Sequence, residues 1–162
     1  MKIVVVSDSH GNIRPLHQIM EKHADADLFI HCGDSGWNPS GLQGWTVVGG
    51  NVDYMYDYPL ALIEEVGPHK ILVTHGHACF SSYRPDYGAL ADYAKDLECD
   101  TVMFGHTHIF YDSTVHGVRL INPGSTYKNR DGSDPCYAVV TYDEEADAFT
   151  VERMPYIKGA KG

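Results

Sequence analysis

The sequence is short of cysteine, of positive charge and of long apolar runs, and each shortage narrows what the chain can be. Its four cysteines, Cys32, Cys79, Cys99 and Cys136, stand far apart among 162 residues with no C-x-x-C pair. So sparse a set suits neither a disulfide scaffold nor a thiolate zinc site, and it predicts reduced thiols in the cytoplasm. Lys and Arg number 12 against 22 Asp and Glu, a formal charge of −10. A surface that acidic disfavours long polyanions such as duplex DNA, whose binding draws on many cationic contacts, but leaves room for a small anionic substrate at a locally positive site. No run is long enough to span a bilayer, and the apolar opening KIVVV gives way at once to Ser7 and Asp8, unlike a signal peptide. We therefore expect no membrane contact and no nucleic-acid polymer as partner, with homo-oligomerisation left open.

Histidine is what the chain has in quantity: ten residues, dispersed rather than gathered as a tag. GHTH (105–108) sets two imidazoles one residue apart, directly after the apolar TVMF. Similar polar fragments follow other apolar runs: SDSHGN (7–12), CGD (32–34), GGNVD (49–53) and THGH (74–77).

The intervening sequence reads as alternating strands and helices. KIVVV (2–6) is a β-branched run without alternation, the pattern of a strand buried on both faces. Asn12 as N-cap, Pro15 in the first turn and a stripe of Ile13, Leu16, Ile19, Met20 and His23 predict a helix. DLFIH (27–31) completes a βαβ unit, and GWTVVGG (44–50) contains a third strand. Three hairpins follow: 59–66 with 69–76 around Gly67-Pro68, 108–115 with 117–122 around His116-Gly117, and 136–143 with 148–155 around an acidic turn. Between them lie a helix over 86–97, with Leu90, Tyr93, Ala94 and Leu97 as its apolar face, and a buried strand in TVMFG (101–105). The order predicts an α/β sandwich, two packed sheets with helices outside. The length suits one domain over residues 1–157, with KGAKG (158–162) as a frayed tail.

Asp8 and His10, Asp34, Asn51, His75 and His77, and His106 and His108 all come just after predicted strands. In α/β folds, sites assemble in the crevice beyond strand C-termini. Residues i and i+2 of an extended segment point the same way, so Asp8 can converge with His10, and His106 with His108 if the chain stays extended. Carboxylates, an amide and imidazoles without a thiolate suit manganese, iron, cobalt or zinc. Two carboxylates, one amide and four or more imidazoles, at least seven groups, exceed one tetrahedral ion and suit two ions sharing a carboxylate.

The ordered blocks Asp8-Ser-His10-Gly, Gly33-Asp34, Gly50-Asn51-x-Asp53, His75-Gly-His77 and Gly105-His106-x-His108 resemble the signature of the calcineurin-like metallophosphoesterases, in their small bacterial and archaeal phosphodiesterase branch. Asn122-Pro-Gly-Ser125 is similar to that branch too. The resemblance implies a four-layer-type sandwich of two mixed β-sheets flanked by helices. It implies that Asp8, His10 and His108 hold one divalent ion, that Asn51, His75 and His106 hold another, and that Asp34 bridges them. Mn²⁺ leads as the metal, with Ni²⁺, Fe, Co²⁺ and Zn²⁺ as alternatives. The implied activity is hydrolysis of small phosphodiesters, with a metal-bridging hydroxide as nucleophile. A dinucleoside-polyphosphate or nucleotide phosphohydrolase and a non-catalytic protein-binding scaffold of the same fold are the rival readings.

Two departures matter. Protein-phosphatase members carry a histidine directly after the metal-binding asparagine; here Val52 stands there and cannot donate a proton. That disfavours phosphoprotein monoesters and leaves two alternatives, His77 as the leaving-group acid or departure without an acid. Many relatives also carry another acidic residue shortly after the bridging aspartate, where this chain has Ser35-Gly36-Trp37. Around the core set, Asp53 or backbone carbonyls are candidates to orient ligand histidines. His31 is expected under the site, and His17, His23, His69 and His116 at the surface or in turns. Ser125 is expected to close a turn, and Trp37, Trp45, Tyr54, Tyr56 and Tyr58 to pack rather than line the mouth. Arg14, Arg84, Lys128 and Arg130 are candidates to clamp a second phosphate or a leaving group, with a solvated surface role as the plainer reading.

Overall fold

The computed structural model describes residues 1–156. Its elements are β1 (Lys2–Val6), α1 (Arg14–Lys22), β2 (Leu28–His31), β3 (Thr46–Val47), β4 (Ala61–Val66), β5 (His69–Thr74), α2 (Tyr87–Asp96), β6 (Thr101–Met103), β7 (Phe110–Val115), β8 (Val118–Pro123), β9 (Cys136–Asp143) and β10 (Ala148–Pro155), with a 3₁₀ turn at Pro39–Gly41. Two five-stranded mixed sheets result, in the orders β10-β9-β1-β2-β3 and β4-β5-β6-β8-β7.

Strand alternation builds the layers. Ile3 and Val5 of β1 and Ile30 of β2 meet Ile71, Val73, Met103 and Ile121 of the other sheet in a central core. The alternate residues Val4 and Val6 face away and pack on Leu16 and Ile19 of α1. Leu72, Val102 and Leu120 likewise pack on Leu90, Ala91 and Ala94 of α2. Side chains that point alternately to the two faces of strands buried on both sides thus yield four layers, helix, sheet, sheet, helix. Within each sheet three strands run parallel, β1-β2-β3 and β5-β6-β8. Their C-terminal ends deliver the polar fragments.

Several local expectations are corrected. Helix α1 starts at Arg14 with Ile13 as its N-cap and no side-chain cap, so Asn12 does not serve. On α2 the buried face is Leu90, Ala91 and Ala94, whereas Tyr93 and Leu97 are exposed. The helical period holds, with Leu90 and Ala94 buried as expected, and the face is turned so that Ala91 rather than Tyr93 packs on the sheet. The third strand, expected within 44–50, is the short pair Thr46 and Val47, since the chain turns through Gly49 and Gly50 into the polar fragment. His23 lies in the turn that ends α1, one of its two expected settings, but is buried there, its Nε2 2.7 Å from the Tyr137 hydroxyl.

The four cysteines are unpaired. No helix among the described residues is long and apolar enough to cross a membrane. The predicted frayed tail, residues 158–162, lies outside the described residues.

Candidate metal centre

The polar fragments do not stay extended beyond their strands. Asp8, His10, Asp34, His106 and His108 all have positive φ, between 46° and 73°. A left-handed conformation is rare for residues with a side chain and marks a backbone held by its surroundings. The i, i+2 convergence expected of extended chain is therefore replaced by tight turns that swing each side chain into the crevice. Hydrogen bonds between fragments fix those turns: Asp8 N–H donates to Gly33 O, and His10 N–H to Asp34 O, both at 3.0 Å.

Close approach requires two glycines. A Cβ at Gly50 would collide with the Asp34 carboxylate, and one at Gly105 with Ser7 Oγ and the Asp8 carboxylate. Both glycines pass directly behind the carboxylates that face the crevice.

The crevice brings together two groups able to hold a cation, Asp8 with His10 and His108, and Asp8 with Asp34 and His75. Asp8 Oδ1 lies 3.2 Å from His108 Nε2 and 3.7 Å from the Nε2 atoms of both His10 and His75. Asp34 Oδ2 lies 3.2 Å from His75 Nε2 and 3.9 Å from His10 Nε2. Asn51 Oδ1 adds a neutral oxygen 3.1 Å from His75 Nε2. His106 stands outside both groups: its backbone N–H donates to Asp8 Oδ2 at 3.0 Å, and its ring centre is 5.0 Å from that of His75. His77 is half-buried farther out, 5.5 Å from His75 between ring centres.

Three observations show that these residues suit a divalent cation. Asp8 Oδ1 is buried and has no hydrogen-bond partner, although Oδ2 of the same carboxylate accepts from Ser7 Oγ at 2.7 Å. A buried, unsatisfied carboxylate oxygen is costly unless a positive charge meets it. His75 Nδ1–H donates to Cys32 O at 2.7 Å and His108 Nδ1–H to Lys128 O at 2.9 Å. Each ring is thereby fixed with Nε2 turned inward, as a ligand imidazole requires. Finally, the inward atoms are oxygens and nitrogens whose lone pairs crowd one another, such as His10 Nε2 and His108 Nε2 at 3.1 Å. Either a proton or a cation has to sit among them.

The electrostatics agree. Burial lowers the His75 pKa, but the Asp8 and Asp34 carboxylates outweigh it and push it up to about 9. Asp8 is held well below the usual carboxylate range: burial raises its pKa, and His75, His10 and His108 together more than reverse this. His106 falls to about 4 through burial and the neighbouring His75 charge. His77 is lowered for the same two reasons, so it is neutral at pH 7.

The supporting residues divide between expectation and surprise. His31 lies under the site, fully buried, with its Nδ1 accepting from Gly33 N–H at 3.1 Å and its Nε2 2.9 Å from Ser9 Oγ. Asp53 touches no histidine. Its carboxylate accepts from the backbone N–H groups of Asp34 (2.7 Å), Gly50 (2.9 Å) and Gly36 (3.1 Å), tying two site loops together. Backbone carbonyls orient the histidines instead. Ser125 closes its turn by accepting from Tyr127 and Lys128 N–H, and it also donates to Asp8 O at 2.8 Å. Trp37, Trp45 and Tyr58 engage in packing contacts or hydrogen bonds. Val52 is exposed, and its N–H donates to Asp34 Oδ1 at 3.0 Å.

Two clefts flank the crevice. One, of about 770 Å³, runs from His108 past Tyr127, Lys128 and Arg130 to Tyr83. The other, of about 520 Å³, is bordered by Asn51, His77, Phe80, Ser81 and His106. Tyr83 and Tyr127 are lining residues that the sequence alone does not single out. Their signal was present, each tyrosine beside a cationic residue in Tyr83-Arg84 and Tyr127-Lys128, but nothing in one dimension says that the two segments meet.

Residues 1–145 match the family model described as the calcineurin-like phosphoesterase superfamily domain. The chain is 36% identical over 149 residues to the probable metallophosphoesterase YsnB of Bacillus subtilis, covering 90% of this chain and 87% of that protein. Its fold matches that of a Streptococcus pneumoniae protein described as a predicted phosphoesterase, at a TM-score of 0.84 and 29% identity over 98% of this chain and 93% of that one. An archaeal phosphodiesterase shares the fold at a TM-score of 0.67 and 22% identity, over 95% of this chain and all of that one.

Proposed function

The chain belongs to the calcineurin-like phosphoesterase superfamily, and from that premise we propose that it is a metal-dependent phosphodiesterase acting on small phosphodiesters. The observation that carries this reading is the buried, partnerless Asp8 Oδ1 amid the Nε2 atoms of His10, His75 and His108. Asp8, His10 and His108 would hold one divalent ion and Asn51, His75 and His106 the other, with Asp34 between them. Manganese fits this oxygen and nitrogen set without a thiolate. When bound, two such ions supply positive charge to phosphate oxygens and lower the pKa of a water.

The chain's own residues shape the rest. The Nδ1–H bonds to Cys32 O and Lys128 O keep His75 and His108 from turning. Asp53 fixes the backbone at Asp34 and Gly50, so the carboxylate and Asn51 keep their spacing. His77, neutral at pH 7, can donate a hydrogen bond to a departing oxygen but holds no extra proton to give. Val52 offers none either. Both features favour substrates whose leaving group departs readily, and diesters over phosphoprotein monoesters. The four free thiols support a cytoplasmic location.

The test is turnover of bis(p-nitrophenyl) phosphate and p-nitrophenyl phosphate with Mn²⁺, Ni²⁺, Mg²⁺ or Zn²⁺. The reading expects metal-dependent hydrolysis with the diester preferred. Absence of turnover with every ion, from folded protein, would remove it.

A further inference from the structure

The wider cleft differs in chemistry from the rest of this acidic molecule. No Asp or Glu lines either cleft, although carboxylates outnumber cations 22 to 12 in the chain. The wider one carries Lys128 and Arg130, and Lys128 forms no ion pair among the described residues. It also presents two aromatic rings to solvent, Tyr83 at 80% exposure and Tyr127 at 57%. Exposed rings that line one cleft mark an interaction site more often than single exposed side chains do.

Their arrangement is ordered. The Arg130 guanidinium sits 4.7 Å from the Tyr83 ring centre while its Nη1 donates to the carbonyls of His106 and Thr107. Tyr83 is thereby tied to the GHTH turn, with the rest of its ring surface open. Tyr127 lies 5.9 Å from His10 between ring centres, at the inner end of the cleft. A path from the metal centre thus leads past one ring and one free cation to a second ring. Among the described residues the narrower cleft is lined by no Lys or Arg, so the two sides of the centre would treat the two arms of a diester differently.

We propose that the wider cleft binds a nucleoside arm of the substrate, its base meeting the Tyr127 and Tyr83 rings while its one phosphate stays at the metal centre and Lys128 adds positive charge along the arm, which makes the substrate class mononucleotide esters. The inference rests on the phosphodiester reading and adds which diesters it takes. Stacking of a base on exposed aromatic rings is tolerant of base identity, so recognition is of a nucleoside rather than of one base.

The test compares affinities on the Mn²⁺-loaded protein by calorimetry, with adenosine 5′-monophosphate, ribose 5-phosphate and inorganic phosphate as probes. The base should tighten binding about tenfold between ribose 5-phosphate and the nucleotide. A Tyr83→Ala/Tyr127→Ala double variant should reduce that ratio to below about two while still binding inorganic phosphate, which reports an intact centre. Tyr83→Phe should retain the preference, since stacking needs the ring and not the hydroxyl. Equal affinity for nucleotide and sugar phosphate in the wild-type protein, or an unchanged ratio in the double variant, overturns the proposal. Hydrolysis of the p-nitrophenyl ester of thymidine 5′-monophosphate, run beside bis(p-nitrophenyl) phosphate, separates the two readings. Nucleotide preference without turnover of either ester supports the cleft assignment and removes the hydrolase. Turnover without nucleotide preference does the reverse.

Discussion

Strand β5 carries a histidine–aspartate cluster at each end, and the two are built on opposite plans. At its start, His69 uses both ring nitrogens, Nδ1 2.7 Å from Asp100 and Nε2 2.8 Å from Asp147, and Tyr142 donates to the same Asp147 oxygen at 2.6 Å. Just past its end, His75 spends only Nδ1 on a carbonyl and turns Nε2 toward two carboxylates and an amide oxygen. The two clusters stand roughly 20 Å apart along the strand. The first is closed: it clasps the β9–β10 hairpin to the other sheet and leaves no imidazole nitrogen over. The second is left open, with a buried carboxylate oxygen lacking any partner. Composition alone does not separate a clasp from a ligand site. The separation lies in whether the donors and acceptors balance inside the protein.

The comparison breaks most severely at the shared carboxylates. Asp34→Asn should cut turnover by more than about a hundredfold, beyond the loss typical of residues that only orient a ligand, as measured by steady-state kinetics with Mn²⁺. A wild-type rate in that variant would deny Asp34 any part in the centre. Next comes Asp53→Ala, which strands three backbone N–H groups. It should destabilise the chain by about 3 kcal/mol in denaturant unfolding, because buried donors lose their acceptor. Gly105→Ala belongs beside it: with no room for a methyl behind Asp8, metal affinity should fall at least about tenfold, read by calorimetry.

The smallest effect should come from the closed cluster. Burial lowers the His69 pKa, but Asp100 and Asp147 raise it further, leaving it above its ordinary value. A histidine whose folded pKa is raised contributes stability that is complete below the unfolded pKa and is lost as the pH rises through the folded one. His69→Gln should therefore cost at most about 1 kcal/mol near pH 6 and less at pH 9, with Mn²⁺ affinity untouched. Unfolding midpoints at the two pH values check it, and an equal cost at both would contradict the assignment of charge to His69.

These cases also mark where the sequence was legible. Patterns local to a few residues read well: the β-branched KIVVV, the hairpin turns, and glycine-flanked polar fragments after apolar runs. Facts that depend on distant chain did not. Asp53 looked like a partner for histidine, yet its partners are amides of loops brought together only by the sheet. The positive φ values of Asp8 and His108 go with backbone hydrogen bonds to distant chain, Asp8 N–H to Gly33 O and Arg130 N–H to His108 O, which no local propensity encodes. The burial of His23 depends on Tyr137, which lies 114 residues away. Helix α2 showed its period but not the whole of its buried face, which is set by the sheet it meets.

The open cluster makes one demand that the closed one does not, and Mn²⁺ titration of the metal-stripped protein by calorimetry reads it directly. The account predicts saturation at two ions per chain, a rise in unfolding temperature, and proton release. It also predicts apparent affinity that weakens as the pH falls below about 9, where His75 takes up its competing proton. Binding with no saturable stoichiometry, in a protein shown to be folded, would contradict the account at its centre.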